Sequence, residues 1–181
     1  EKKPLLITIA AGIEIARIEA LCGCQLPIIR IMPNTPVAVG KGMITYCHNS
    51  LVEESDLSDF ITDMQYAGRM DAIPEKLIDA ASAVAGCGPA FMYMFLEAMA
   101  DGGVACGLTR TNAIEYATAT MAGAAEMLLS TQMHPGALKD AVCSPGGSTI
   151  AGVKVLEENG FRGAVMDCIS AAYKRSCELG K

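Results

Sequence analysis

Ile28-Ile29-Arg30-Ile31-Met32-Pro33-Asn34-Thr35-Pro36 is the stretch on which the fold turns. A short apolar run closed by a proline turn reads as a strand buried on both faces. Working outward, Leu5-Leu6-Ile7-Thr8-Ile9 repeats the pattern and exits through Ala10-Ala11-Gly12, and Ile13 to Leu21 between them has helical spacing. Met43 to Cys47 forms a third candidate strand. Three strands with one or two helices leave a sheet short of neighbours, which predicts the back half of an open α/β domain over residues 1–70.

From residue 71 the pattern is helical to the end. Pro89 suits the first turn of a helix running to Asp101, with Gly102-Gly103 ending it. Thr109 or Thr111 caps a helix reaching about Gln132, and its middle, Ala117 to Ala125, is almost all small residues, which lets helix axes approach closely. A last helix is expected from Gly163 to Glu178. The fold class is therefore α/β plus all-α, with residues 71–181 forming a helical bundle.

Of 181 residues, 51% are hydrophobic and 19% charged, which fits a well-packed globular chain and excludes a disordered one. A net charge of −6 argues against nucleic acid or an anionic membrane as partner, so an anionic ligand must be held by local donors. Eight cysteines and two histidines in scattered positions offer no metal site and read as buried reduced thiols of a cytoplasmic protein. The uncharged stretch Ala80 to Leu96 resembles a membrane span, but Gly86-Cys87-Gly88-Pro89 interrupts it, which predicts a helix end, a turn and a new helix. No targeting segment is expected.

Ser144-Pro145-Gly146-Gly147-Ser148-Thr149 carries the chemistry. A Gly-Gly turn opening a helix leaves unpaired N–H groups aimed at one spot, and the missing Cβ atoms let an anion reach the backbone. The bland alternative is a Pro-Gly turn with Ser148 as an ordinary N-cap. Taken alone, the hexapeptide favours that alternative.

Seven motifs in order shift the balance: Ala10-Ala11-Gly12, Met32 to Pro36, Gly86-Cys87-Gly88-Pro89-Ala90, Ala100-Asp101-Gly102-Gly103-Val104, His134-Pro135-Gly136, Leu138-Lys139-Asp140, and Ser144 to Thr149. Together the chain closely resembles the pyrroline-5-carboxylate reductases, over essentially its whole length. The resemblance implies NAD(P)H-dependent reduction of 1-pyrroline-5-carboxylate to L-proline, the last step of proline biosynthesis, with NADP or NAD as cofactor. It implies a Rossmann-like parallel sheet whose first half, bearing the G-x-G-x-x-G turn, does not occur in this sequence, so the chain is expected to be an incomplete part, inactive alone. Residues 1–70 become the C-terminal part of the dinucleotide-binding domain, and 71–181 the helical substrate-binding and dimerisation domain of a homodimer or higher oligomer.

Carried onto this sequence, the resemblance places Ile9, Ala10, Ala11 and Asn34 at the cofactor. It places Ser144, Gly146, Gly147, Ser148 and Thr149 on the substrate carboxylate, Glu75 near the ring nitrogen, and the Thr149 hydroxyl on the imine nitrogen as catalytic group. Two rival readings stand beside it. One is a related imine or hydroxyacid dehydrogenase, against which no lysine has the asparagine four residues later that the β-hydroxyacid enzymes use. The other is a helical oligomerisation module without catalysis. From the residues alone, His134 reads as a packing or capping group, Met92, Met94 and Met99 as core filler, and Glu97 with Asp101 as a helix-face pair.

Overall fold

The computed structural model describes residues 3–180. Contacts group the chain into two compact units: the part through Pro89 together with the part from Asp167 onward, and Ala90–Met166. Secondary structure runs β1 (Leu6–Thr8), α1 (Ile15–Cys22), β2 (Ile28–Met32), β3 (Gly42–His48), α2 (Glu54–Met64), β4 (Gly68–Ala72), α3 (Ile78–Ala81), α4 (Gly88–Ala105), α5 (Arg110–Thr131), α6 (Pro135–Ala141), α7 (Ser148–Glu158) and α8 (Phe161–Leu179). Short 3-10 turns cover Thr35–Val39 and Glu75–Leu77.

In the first unit, four strands form one sheet in the order β1-β2-β3-β4. The β1/β2 and β3/β4 pairs are parallel, but β2 and β3 pair antiparallel, Ile31 opposite Tyr46. The sheet is thus mixed rather than wholly parallel. The Pro33–Lys41 link has no room for the crossover a parallel partner needs, so the chain turns back beside itself. Strand β4 has no counterpart in the sequence reading. Charged Arg69 and Asp71 break its apolar pattern, and Met70 alone joins the core.

Alternation along β2 loads both faces of the sheet. Ile29 and Ile31 pack with Ile44, Tyr46 and Phe60 of α2, where the Tyr46 and Phe60 rings meet edge-to-face at 5.8 Å. Ile28 on the other face packs with Cys47, Ile15 of α1 and Ile78 of α3. Burial pushes the Cys47 thiol up to about 11, with the charge of Glu75 adding to the effect. The neutral thiol is therefore the folded form, and its contribution holds below the ordinary value of 9.0 and is lost as pH rises towards 11. Since the thiolate is the nucleophile, native protein treated with iodoacetamide at pH 8 is expected to label at exposed Cys22, Cys24 and Cys106 while Cys47 labels only on unfolding. Peptide mapping before and after denaturation checks this. The same list corrects the expectation of uniformly buried thiols.

The helical run from Glu75 to Ala105 is continuous. Instead of ending at Gly86, the chain passes through a π-helical stretch, Ser82–Gly86, and straight into α4. Nor do Gly102 and Gly103 end α4. Gly103 lies where a Cβ would press on Ala113 and Leu108 at 3.2 Å, so it serves close packing of α4 against α5. By length and composition this run is apolar enough to cross a membrane, with 11% of the window buried.

The second unit buries little. Ala100, Ala113 and Ala117 are its buried apolar residues, whereas Tyr93 is 61% and Met94 70% exposed. Met92, Met94 and Met99 are therefore not core filler within the chain, and the small-residue middle of α5 is largely exposed. Thr109 does cap α5, its hydroxyl accepting from Asn112 N–H at 3.2 Å. The far end closes on Gln132 in the left-handed region, φ 53°.

Candidate functional site

The Ser144–Thr149 loop is built by its own chemistry. Pro145 and Gly146 occupy the centre of a turn in which Gly147 N–H donates to the Ser144 carbonyl at 3.0 Å. Gly146 has φ +68°, a conformation that L side chains avoid, with open space around it. Gly147, extended, is the N-cap of the 11-residue α7. Ser148 is thus the first helical residue rather than the cap, because no side chain caps this helix.

The N–H groups of Ser148, Thr149 and Ile150 have no carbonyl within the helix to accept them. All three residues are exposed, as is Ser144. The result is an exposed set of N–H donors at the positive end of a helix dipole. One of the expected donors, Gly147 N–H, is already used to close the turn. A Cβ at Gly147 would collide with the Ser144 hydroxyl. Upstream, His134 caps α6, its Nδ1 accepting from Gly136 N–H at 3.1 Å.

Glu75 is held by the sheet unit. Its Oε1 accepts from Ile15 N–H at 2.7 Å, capping α1 from a distance, and from Arg30 Nη1 at 3.2 Å. Arg30 Nη2 donates to Asp79 Oδ1 at 3.0 Å. The Arg30 side chain is 2% exposed, against 32% for Glu75 and 20% for Asp79. Sequence reasoning passed over Arg30, although a lone charge inside an apolar strand signals buried partners.

Asn34 is also engaged. Its Oδ1 accepts from Met43 N–H at 3.0 Å and its Nδ2 donates to the Ala85 carbonyl at 3.0 Å. It thereby ties the Pro33–Pro36 loop to the start of β3 and to the π-helical stretch. Ile9, Ala10 and Ala11 follow the carboxyl end of β1 and are exposed, Ile9 at 66%. An exposed apolar shelf beyond a strand's carboxyl end is where open α/β sheets receive nucleotides. These residues fit such a group. Glu97 and Asp101 share a cavity of about 700 Å³ between α4 and α5, in which Asp101 pairs with Arg110 at 2.6 Å. No group of three or more metal-ligating side chains exists among the described residues.

A four-stranded mixed sheet in one unit and an all-helical second unit define a two-part protein of the α/β plus all-α class. Residues 75–179 match the family model described as pyrroline-5-carboxylate reductase dimerisation. The chain is 46% identical over 179 residues to pyrroline-5-carboxylate reductase of Synechocystis, covering 99% of the chain and 67% of that protein. It is 42% identical over 180 residues to the enzyme of Escherichia coli, again covering 99% of the chain and 67% of the relative. Among solved structures, the Plasmodium falciparum pyrroline carboxylate reductase with NADP bound superposes at a TM-score of 0.93, with 37% identity over 98% of this chain and 71% of that one. The chain belongs to the pyrroline-5-carboxylate reductase family. The exposed apolar faces of α4 and α5 fit the self-association that the matched dimerisation model describes.

Proposed function

We propose that the protein reduces 1-pyrroline-5-carboxylate to L-proline with NADPH or NADH, the last step of proline biosynthesis. The observation that carries this reading is the nest at Ser144–Thr149, whose open glycine backbone and uncapped α7 suit a small carboxylate. The substrate is a flat five-membered imine bearing one carboxylate. Backbone N–H groups of Ser148 and Thr149, with the Ser144 hydroxyl and the bare backbone of Gly146 and Gly147, hold it by that end. Fixing one end of the ring presents its face and restricts the approach to the imine carbon.

Ile9, Ala10 and Ala11 would hold the nucleotide at the sheet edge, with the Asn34 loop beside it. When bound, the nicotinamide supplies a hydride to the imine carbon. Glu75 donates no proton in this reading. Its Oε1 is committed to Ile15 and Arg30, so its contribution near the ring nitrogen is a negative charge that favours the iminium form. The Thr149 hydroxyl hydrogen-bonds that nitrogen and orients the ring. Free thiols at all eight cysteines fit the reducing cytoplasm as its setting.

Thr149→Ala in the full-length gene product tests the hydroxyl. Turnover should fall about tenfold to a hundredfold, the range for losing one positioned hydrogen bond to a charged group. Steady-state rates with 1-pyrroline-5-carboxylate at the wild-type level would remove Thr149 from the mechanism and leave the nest intact. Light scattering of the same protein should give a dimer or a multiple of it.

A further inference from the structure

We infer that the carboxyl end of α8 is a clasp that sets the Ala10–Ile13 turn, making Gly180 a positioning residue for the nucleotide. The inference rests on the reading of Ile9, Ala10 and Ala11 as cofactor contacts, and it concerns residues of one compact unit. Gly12 is buried, although its neighbours Ala10 and Ala11 are exposed. It adopts φ +71°, and a Cβ there would stand 2.8 Å from both the Gly180 nitrogen and the Ser176 carbonyl oxygen. The reciprocal holds, for a Cβ on Gly180 would collide with the Gly12 carbonyl oxygen. Two glycines thus meet backbone to backbone, an approach that no other residue pair permits.

Little else fixes this turn. Its own closing hydrogen bond, Ile13 N–H to the Ala10 carbonyl, is long at 3.4 Å, and Ala10 N–H donates to the Thr8 hydroxyl at 3.2 Å. On the α8 side, Ser176 is buried. Nearby, the Tyr173 phenol is pushed up chiefly by its hydrogen bond with Cys177. The clasp therefore transmits the position of a carboxyl-terminal helix to the turn that follows β1. A displacement of that turn by less than 1 Å alters contacts with a bound nucleotide.

The test is calorimetric titration of NADP+ and of L-proline into the full-length gene product, with amide exchange of Ile13 followed in parallel. Gly180→Val, and Gly180→Ala as a milder variant should the first not fold, are expected to weaken NADP+ about tenfold, equivalent to about 1.4 kcal/mol. Exchange at Ile13 should quicken, and L-proline affinity should stay within about twofold. Glu178→Ala, two residues earlier at the end of α8 and paired with surface Arg175, controls for fraying and should leave all three readings unchanged. Unaltered NADP+ affinity in a folded Gly180→Ala protein would overturn the clasp, whatever the exchange rate. Ile9→Asp separates the two layers: if it too leaves NADP+ affinity unchanged, the cofactor assignment of the shelf fails, whereas loss of affinity only in Ile9→Asp sinks the clasp alone.

Discussion

Gly147→Val is expected to weaken binding of L-proline about tenfold or more while leaving the protein folded. The Cβ atom would drive the Ser144 hydroxyl out of its place in the nest and press on the Ser144 carbonyl oxygen at 3.2 Å. One donor is thereby lost, and the carbonyl that accepts from Gly147 N–H at 3.0 Å is shifted by a few tenths of an ångström. Hydrogen bonds to a carboxylate are worth about 1.5–3 kcal/mol each, so losing one weakens binding by about tenfold to a hundredfold. The site is exposed, and nothing in the sheet core depends on it, so the melting temperature should move by no more than a few degrees. Calorimetric titration checks the affinity and a thermal melt checks the fold. Retained affinity would mean that the Gly-Gly backbone is only a turn.

Arg30→Met should be the most destabilising single change in the sheet unit. The side chain is buried between Ile28 and Met32, and its removal strands Glu75 and Asp79 without their cation. Breaking a buried pair costs about 3–5 kcal/mol, and partial exposure of both carboxylates brings this to about 3 kcal/mol here. Glu75→Gln is milder because the amide oxygen still accepts from Ile15 and Arg30, so about 1 kcal/mol is expected. Urea titrations of both variants give these values directly. The pair also separates two roles for Glu75. If its charge favours an iminium substrate, Glu75→Gln lowers turnover by far more than its stability loss explains; if it serves only the fold, turnover per folded molecule is unchanged.

How far the sequence spoke depends on where its information was local. β2 stands at Ile28–Met32, as its apolar run and proline stop indicate, and Thr109 and Gln132 bound α5 as their cap positions indicate. The antiparallel return of β3 was legible in the length of the Pro33–Lys41 link but was overridden by the expectation of a uniform sheet. β4 was not legible, since Gly68-Arg69-Met70-Asp71-Ala72 gains its strand character from pairing with β3 and not from its own side chains. Gly86-Cys87-Gly88-Pro89 read as a break because glycine and proline usually end helices. Instead Gly86 closes a π-helical stretch whose Ala85 carbonyl is taken by Asn34, Cys87 keeps right-handed helical backbone angles, and Gly88 and Pro89 open α4.

The site divides the same way. The nest was readable because turn chemistry is local: Gly146 needs its left-handed φ, and a side chain on Gly147 would displace the Ser144 hydroxyl. The partners of Glu75 and Asn34 were not, because Arg30, Ile15, Met43 and Ala85 reach them only through the tertiary fold. Met94 and Tyr93 show a third limit. Their hydrophobicity predicts burial, and in the single chain they are exposed, which fits the self-association that the dimerisation family model describes.

The central claim is tested most directly by incubating the full-length gene product with 1-pyrroline-5-carboxylate and NADPH or NADH, following loss of reduced nicotinamide and identifying the product chromatographically. The account predicts stoichiometric formation of L-proline, suppressed by Gly147→Val. A folded, self-associated protein that forms no L-proline with either nucleotide would contradict it.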